Sequence, residues 1–105
     1  MAIVCAGSDR QFSFEDAACA GRYARHITKR LANVYVNDAA RACMLVNGKY
    51  REKLDELFLD SSHGQALATA GYADDLVICA RVDACLVVPI YADRQITKLG
   101  PERER

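Results

Sequence analysis

The runs that predict β-strands outright lie at the two ends of this 105-residue chain. Residues 2–6 are a short apolar run that Gly7 ends, which predicts a buried strand. Residues 85–90 and 94–98 are two further runs joined by a short turn, which predicts a hairpin. Three short strands leave sheet edges open. We therefore expect the chain either to pair with a copy of itself or to be one part of a larger α/β fold.

The middle of the chain predicts about four helices. Ser13, with Asp16 three residues later, predicts the start of an amphipathic helix whose basic residues fall mostly away from its apolar side. The predicted helices span about 14–31, 37–46 and 49–58, and a short fourth helix follows Ser62 and stops at Gly71. The segment "ADDLVICARVD", residues 73–83, fits either a strand or a helix. The whole pattern predicts a layered α/β fold, with one domain over residues 1–99 and a loose tail at 100–105.

Charge and hydropathy give no support for nucleic acid or a membrane as a partner. Lys plus Arg equals Asp plus Glu, at 14 each, so the net charge is zero. Basic patches that bind phosphate backbones or anionic lipids need an excess of positive charge. No apolar run approaches the roughly 18 residues that a membrane-spanning helix requires, and the N-terminus does not have the pattern of a signal peptide.

The cysteine pattern predicts free thiols in a reducing cytoplasm. No two cysteines form a Cys-x-x-Cys pair, and none stands at zinc-ligand spacing from a histidine. A thiol-based redox function is therefore disfavoured. The five cysteines are Cys5, Cys19, Cys43, Cys79 and Cys85.

The stretch "CAGSDRQFSFEDAACAG", residues 5–21, carries the strongest functional signal. A phosphate-binding P-loop is excluded, because Glu15 and Asp16 stand at the helix start where such a loop has Lys and Ser or Thr. A cysteine phosphatase needs an arginine six residues after its nucleophile. Arg10 follows Cys5 by only five residues, which disfavours that class.

Glu15 and Asp16 suit a third chemistry, since carboxylates that follow a strand can hold Mg²⁺. In this hypothesis both acids are catalytic and metal-binding. Gly7 and Ser8 offer N–H and hydroxyl donors to the oxygens of a phosphate, and Arg10 adds a positive charge on the substrate side. The simpler alternative is that the two acids only stabilise the helix dipole, as acids at helix starts commonly do.

Several motifs together resemble the 2-phosphosulfolactate phosphatase family, the ComB-like proteins. They are "VCAGS", then "FSFED" and "CAG" within residues 4–21, "NDAARA" at 37–42, "SSHGQAL" at 61–67, "GYADDLVICARVD" at 71–83 and "VVPIY" at 87–91. The resemblance runs from about residue 3 to residue 97 and concerns the second half of the family's sequence pattern. Arg10 departs from the pattern, which usually has glycine there.

The resemblance implies a layered α/β fold, with residues 74–83 helical. It also implies Mg²⁺-dependent hydrolysis of 2-phospho-3-sulfolactate to 3-sulfolactate and phosphate, a step of coenzyme M biosynthesis. Such a substrate carries about three negative charges and needs cationic or N–H partners. Motifs of the family's first half do not occur in this sequence. Two functions therefore stay open: part of the phosphatase, or a non-catalytic relative that acts as a homo-oligomer or as partner to a separate N-terminal half.

Overall fold

Helices make up most of the fold. The computed structural model describes residues 1–100, so residues 101–105 of the predicted tail lie outside the described residues. The elements in chain order are helix α1 (Phe14–Arg30), α2 (Asp38–Tyr50), α3 (Leu54–Asp60), α4 (Ser62–Leu67), a π-helical turn (Ala68–Tyr72), α5 (Ala73–Cys79), and strands β1 (Pro89–Ala92) and β2 (Gln95–Lys98). The sequence predicts this combination of helices with a few short strands.

Helix α1 begins and ends as its local sequence predicts. The Ser13 hydroxyl oxygen accepts a hydrogen bond from the Asp16 amide at 3.4 Å, which caps the N-terminus. Acids lie in the first turn, and Lys29 and Arg30 lie in the last turn, which is the distribution that the helix dipole favours. The predicted bounds of 14–31 are therefore confirmed to within one residue.

Helix α2 continues further than predicted. Asn37 caps it through a 2.9 Å hydrogen bond from the Ala40 amide, as the sequence indicates. The predicted end near Gly48 is wrong, because the helix runs through this glycine to Tyr50. Glycine inside a helix costs about 1 kcal/mol relative to alanine. Burying Tyr50, which is 3% exposed, more than offsets that cost.

The next helices differ from the prediction at their boundaries. Helix α3 starts at Leu54 instead of residue 49. Ser61, not Ser62, caps α4, and its hydroxyl oxygen accepts the Gly64 amide at 3.0 Å. Gly71 has φ of +97° and breaks the helical backbone inside the π-helical turn, so the predicted stop at Gly71 is a kink after which α5 begins at Ala73. Residues 73–79 of the ambiguous segment are helical, so the helix that the resemblance implies over 74–83 is present but ends at Cys79, four residues early.

The core is small and lies where α1, α2 and α3 meet. Ala18, Tyr50 and Leu57 are its buried members. The Phe14 ring stands edge-on to the Tyr50 ring with centroids 5.5 Å apart, and the Tyr50 hydroxyl donates to Asp60 Oδ2 at 2.6 Å. The backbones of α1 and α2 approach closely at Gly21, where a Cβ atom would overlap the backbone carbonyl of Cys43.

The predicted hairpin is present, and the predicted N-terminal strand is not. Strands β1 and β2 pair antiparallel, with Ile90 opposite Thr97, around an Asp93–Arg94 turn in which both residues have positive φ. This is the type I′ geometry that hairpins favour. The first strand spans 89–92 instead of 85–90. Residues 2–6 form no strand, because nothing in the described part of the chain supplies a ladder partner.

Candidate active site

The loop that precedes α1 folds into a tight turn. Ser8 and Gln11 exchange two backbone hydrogen bonds of 3.0 and 2.9 Å across Asp9 and Arg10, whose φ values are 51° and 62°. Arg10 therefore adopts the left-handed conformation that the glycine of the family pattern would adopt without strain. Gly7, at φ of +76°, leaves no room for a side chain, since a Cβ would lie 2.8 Å from the Gln11 carbonyl oxygen.

Asp16 ties this loop to the start of α1. Its Oδ2 accepts a hydrogen bond from the Gly7 amide at 2.9 Å, and its backbone carbonyl accepts a weak bond from the Cys5 thiol at 3.7 Å. The amides of Gly7 and Ser8, two of the predicted phosphate donors, are thus both used within the chain. The Ser8 hydroxyl, the other predicted phosphate donor, makes none of these hydrogen bonds.

Glu15 has a different environment, although it is the next residue. Its Oε2 accepts a hydrogen bond from the Ser13 hydroxyl at 2.9 Å. Its Oε1 is buried and has no hydrogen-bond partner among the described residues. Burial by itself would raise the pKa of Glu15, but the neighbouring hydroxyls of Ser61 and Ser13 outweigh it and leave the pKa lowered. No hydrogen bond joins Ser61 to Glu15, so the Ser61 hydroxyl lowers this pKa from a longer distance. A charged oxygen without a partner is costly inside a protein unless a cation or donor reaches it.

Glu15 and Asp16 open onto a cleft of about 860 Å³ that also contains positive charge. Arg22, His26 and Arg30 line it from successive turns of α1, and Arg81 lines it from the segment after α5. The sequence indicated only that the basic residues avoid the apolar side of α1. Their four-residue spacing was the signal for a shared face, because residues four apart lie above one another on a helix.

The remaining predicted site residues lie elsewhere. Gly7 and Arg10 line a second cleft of about 900 Å³, on the side of α1 that faces α2. The structure therefore brings Glu15 and Asp16 together with four basic residues, and it separates the loop residues from that cleft. The Gly7–Asp16 hydrogen bond is the direct link between the two sides.

Two of the thiols are poor nucleophiles at neutral pH. Burial, followed by the negative charge of Asp16, raises the pKa of Cys19, and burial raises the pKa of Cys43. All five cysteines lie within the described residues, and each is a free thiol. Thiol nucleophilicity requires the thiolate form, so these environments oppose covalent catalysis by Cys19 or Cys43.

The carboxylates fit a metal ion only in part. Within residues 1–100, no group of three or more Asp, Glu, His or Cys side chains could hold a metal. Mg²⁺ commonly takes only one or two protein carboxylates and keeps water or substrate oxygens as its other ligands. The unpartnered Oε1 of Glu15 suits one such ligand. Asp16 fits less well, because its Oδ2 is already bonded to Gly7.

Comparison with known proteins finds a family and several relatives that this chain resembles. A family model described as 2-phosphosulpholactate phosphatase matches residues 1–94. The chain belongs to that family. The probable 2-phosphosulfolactate phosphatase of Symbiobacterium thermophilum is 34% identical over 99 residues, which cover 94% of this chain and 42% of the relative. The protein of the same description from Pseudothermotoga lettingae is 30% identical over 100 residues, covering 94% and 42%.

The match covers only part of each relative's length. The chain spans about two-fifths of the length of these curated relatives. A further one, from Thermosynechococcus vestitus, is 35% identical over 91 residues, or 37% of its length. No solved structure matches the chain. Among the described residues, no helix is both long enough and apolar enough to cross a membrane.

Proposed function

We propose that this chain forms part of a Mg²⁺-dependent phosphatase that hydrolyses 2-phospho-3-sulfolactate to 3-sulfolactate and phosphate, in coenzyme M biosynthesis within a reducing cytoplasm. Family membership over residues 1–94 supports the reaction class. The observation that carries the site is Glu15, which lines a cleft with four basic side chains and whose buried Oε1 has no hydrogen-bond partner among the described residues.

We assign different functions to the two acids, Glu15 and Asp16. Glu15 is the residue of this chain that would hold the metal, because one of its oxygens has no other partner. Bound Mg²⁺ would offset the charge of the phosphate and polarise the P–O bond. Asp16 is a positioning residue that fixes the Gly7 loop against α1. Gly7, Ser8 and Arg10 remain candidates for the phosphate side.

The test is phosphate release from 2-phospho-3-sulfolactate by the purified protein, with Mg²⁺ and with EDTA. Release that EDTA abolishes supports the proposal. Glu15→Gln should remove Mg²⁺-dependent release, and Glu56→Gln is the matched control, since Glu56 is an exposed acid in the first turn of α3. Equal loss in both variants, or intact release in Glu15→Gln, would contradict the assignment. Asp16→Ala removes the oxygen that accepts the Gly7 amide, so unchanged release in that variant would contradict the positioning role.

A second candidate is a non-catalytic subunit that associates with copies of itself or with a separate N-terminal half. The supporting observation is the amount of exposed apolar surface, with Val4, Leu86 and Tyr35 each more than 85% exposed. A folded sample that associates but releases no phosphate under any metal condition would favour this candidate over the enzyme.

A further inference from the structure

The chain exposes far more surface than a compact domain of its mass. Its accessible surface is 9024 Å², whereas a monomeric domain of 11.6 kDa exposes roughly 5,800 Å². Its radius of gyration is 15.4 Å, against about 13 Å for a compact chain of this length. The excess area is on the scale that large obligate interfaces bury.

Much of the exposed apolar surface lies on segments whose sequence is suited to burial. The run "CLVVPIY" at 85–91 is apolar on both faces, which is typical of a strand covered on both sides. In the structure every residue of this run is exposed, and Leu86 is 91% exposed. Both strands of the hairpin are exposed along their whole length. The described residues thus leave this run without the cover that its composition requires.

The N-terminal run, residues 2–6, is likewise apolar in sequence and exposed in the structure. Residues 2–6 belong to no helix or strand and make no backbone hydrogen bond among the described residues, and Val4 is 89% exposed. Extended segments with unpaired N–H and C=O groups are templates for strand addition. Because the Gly7–Asp16 hydrogen bond fixes the end of this run to α1, the run is held in place and open to a partner.

From these observations we infer that residues 2–6 and 86–92 are docking edges for strands of one particular partner. That partner is a polypeptide equivalent to the part of the family's chain that lies outside the match, roughly three-fifths of the relatives' length. The relatives match across nearly all of this chain and extend well beyond it, so the uncovered surface corresponds to the missing length. The inference rests on the proposed function only for the identity of that partner.

The experiment co-expresses the full chain with the unmatched part of the Symbiobacterium thermophilum relative. Mass is measured by light scattering after size exclusion, and amide hydrogen exchange is measured residue by residue. We expect a complex of one copy of each polypeptide, with exchange at residues 3–6 and 86–88 slowed at least about a hundredfold relative to the chain alone. A complex without that protection would overturn the inference, as would protection in a complex of two copies of this chain or the absence of any complex.

Two substitutions at one exposed position separate backbone pairing from side-chain packing. Val4→Pro removes an N–H group that has no partner among residues 1–100, so it should leave the helices intact and weaken the complex at least tenfold. Val4→Thr keeps the N–H group and the β-branched shape, and it should retain the complex. Equal binding by the two variants would overturn strand addition at residues 2–6. None of these readouts depends on phosphate release, so the docking inference and the proposed activity can fail independently.

Discussion

Gly21→Ala and Gly48→Ala are the same substitution in two helices, and we expect opposite effects on stability. In a helix, alanine is favoured over glycine by about 1 kcal/mol. At Gly48 the new Cβ would meet only the Arg25 Nη1 atom at 3.3 Å, the far end of a flexible side chain. Gly48→Ala should therefore stabilise the protein by up to about 1 kcal/mol.

At Gly21 the same Cβ would overlap the Cys43 carbonyl, which belongs to the backbone of α2 and cannot rotate away. The two helices must separate, and overpacking of this kind costs roughly 1–3 kcal/mol. Their packing also holds Phe14 and the start of α1 in place. The helix-propensity gain is common to both variants, so we expect them to differ by the overpacking cost, roughly 1–3 kcal/mol in the free energy of unfolding. Urea unfolding followed by far-UV circular dichroism measures this difference. A difference below about 0.5 kcal/mol would refute the close approach of α1 and α2.

Three further predictions concern the turns, the acid and the core. Arg10→Gly and Arg94→Gly should each stabilise the protein by roughly 0.5–1 kcal/mol in urea unfolding, because both arginines have positive φ; no gain at either would contradict the type I′ turns. The pKa of Glu15 is lowered from 4.5 in the folded state, so its contribution to stability is present above pH 4.5 and is lost as the pH falls through the lower folded-state value. The difference in free energy of unfolding between wild type and Glu15→Gln should therefore shrink in that window, and a constant difference would contradict the shift. Tyr50→Phe should lower the free energy of unfolding by about 1–2 kcal/mol, since it removes a hydrogen bond to the Asp60 carboxylate, and an unchanged urea midpoint would show that this bond contributes nothing.

Features that depend on neighbouring residues could be predicted from the sequence. The Ser13 and Asn37 caps, the bounds of α1 and the turn at Asp93 each rest on interactions within a few residues. The end of α2 could not be predicted in this way, because it depends on Tyr50 packing against Phe14, far away in sequence. Tertiary burial of one aromatic ring outweighs the local effect of Gly48 there.

The candidate site shows the same division. Adjacent acids at a helix start could be identified from the sequence, and so could their suitability for Mg²⁺. The bond from Gly7 to Asp16 could not, because it requires the loop to fold back across nine residues. The basic wall of the cleft was missed for a related reason. Spacing puts Arg22, His26 and Arg30 on one face, but only the packing of α3 against α1, and of α5 against α3, makes that face part of a cleft.

The Gly7–Asp16 bond links the docking edge to the candidate metal ligand. Both acids line the cleft, but adjacent residues of a helix point about 100° apart, so Asp16 also reaches the Gly7 amide while Glu15 lies beside Ser13 and Ser61. A strand paired with residues 2–6 would restrain that run, and through Gly7 it would restrain the first turn of α1 that carries Glu15. We therefore expect partner binding to order the site even if the partner supplies none of its ligands. In that case Asp16→Ala, which removes the acceptor of the Gly7 bond, would weaken the effect of docking on Mg²⁺ affinity more than it weakens docking itself, whereas equal losses would mean that Asp16 acts only as part of the interface.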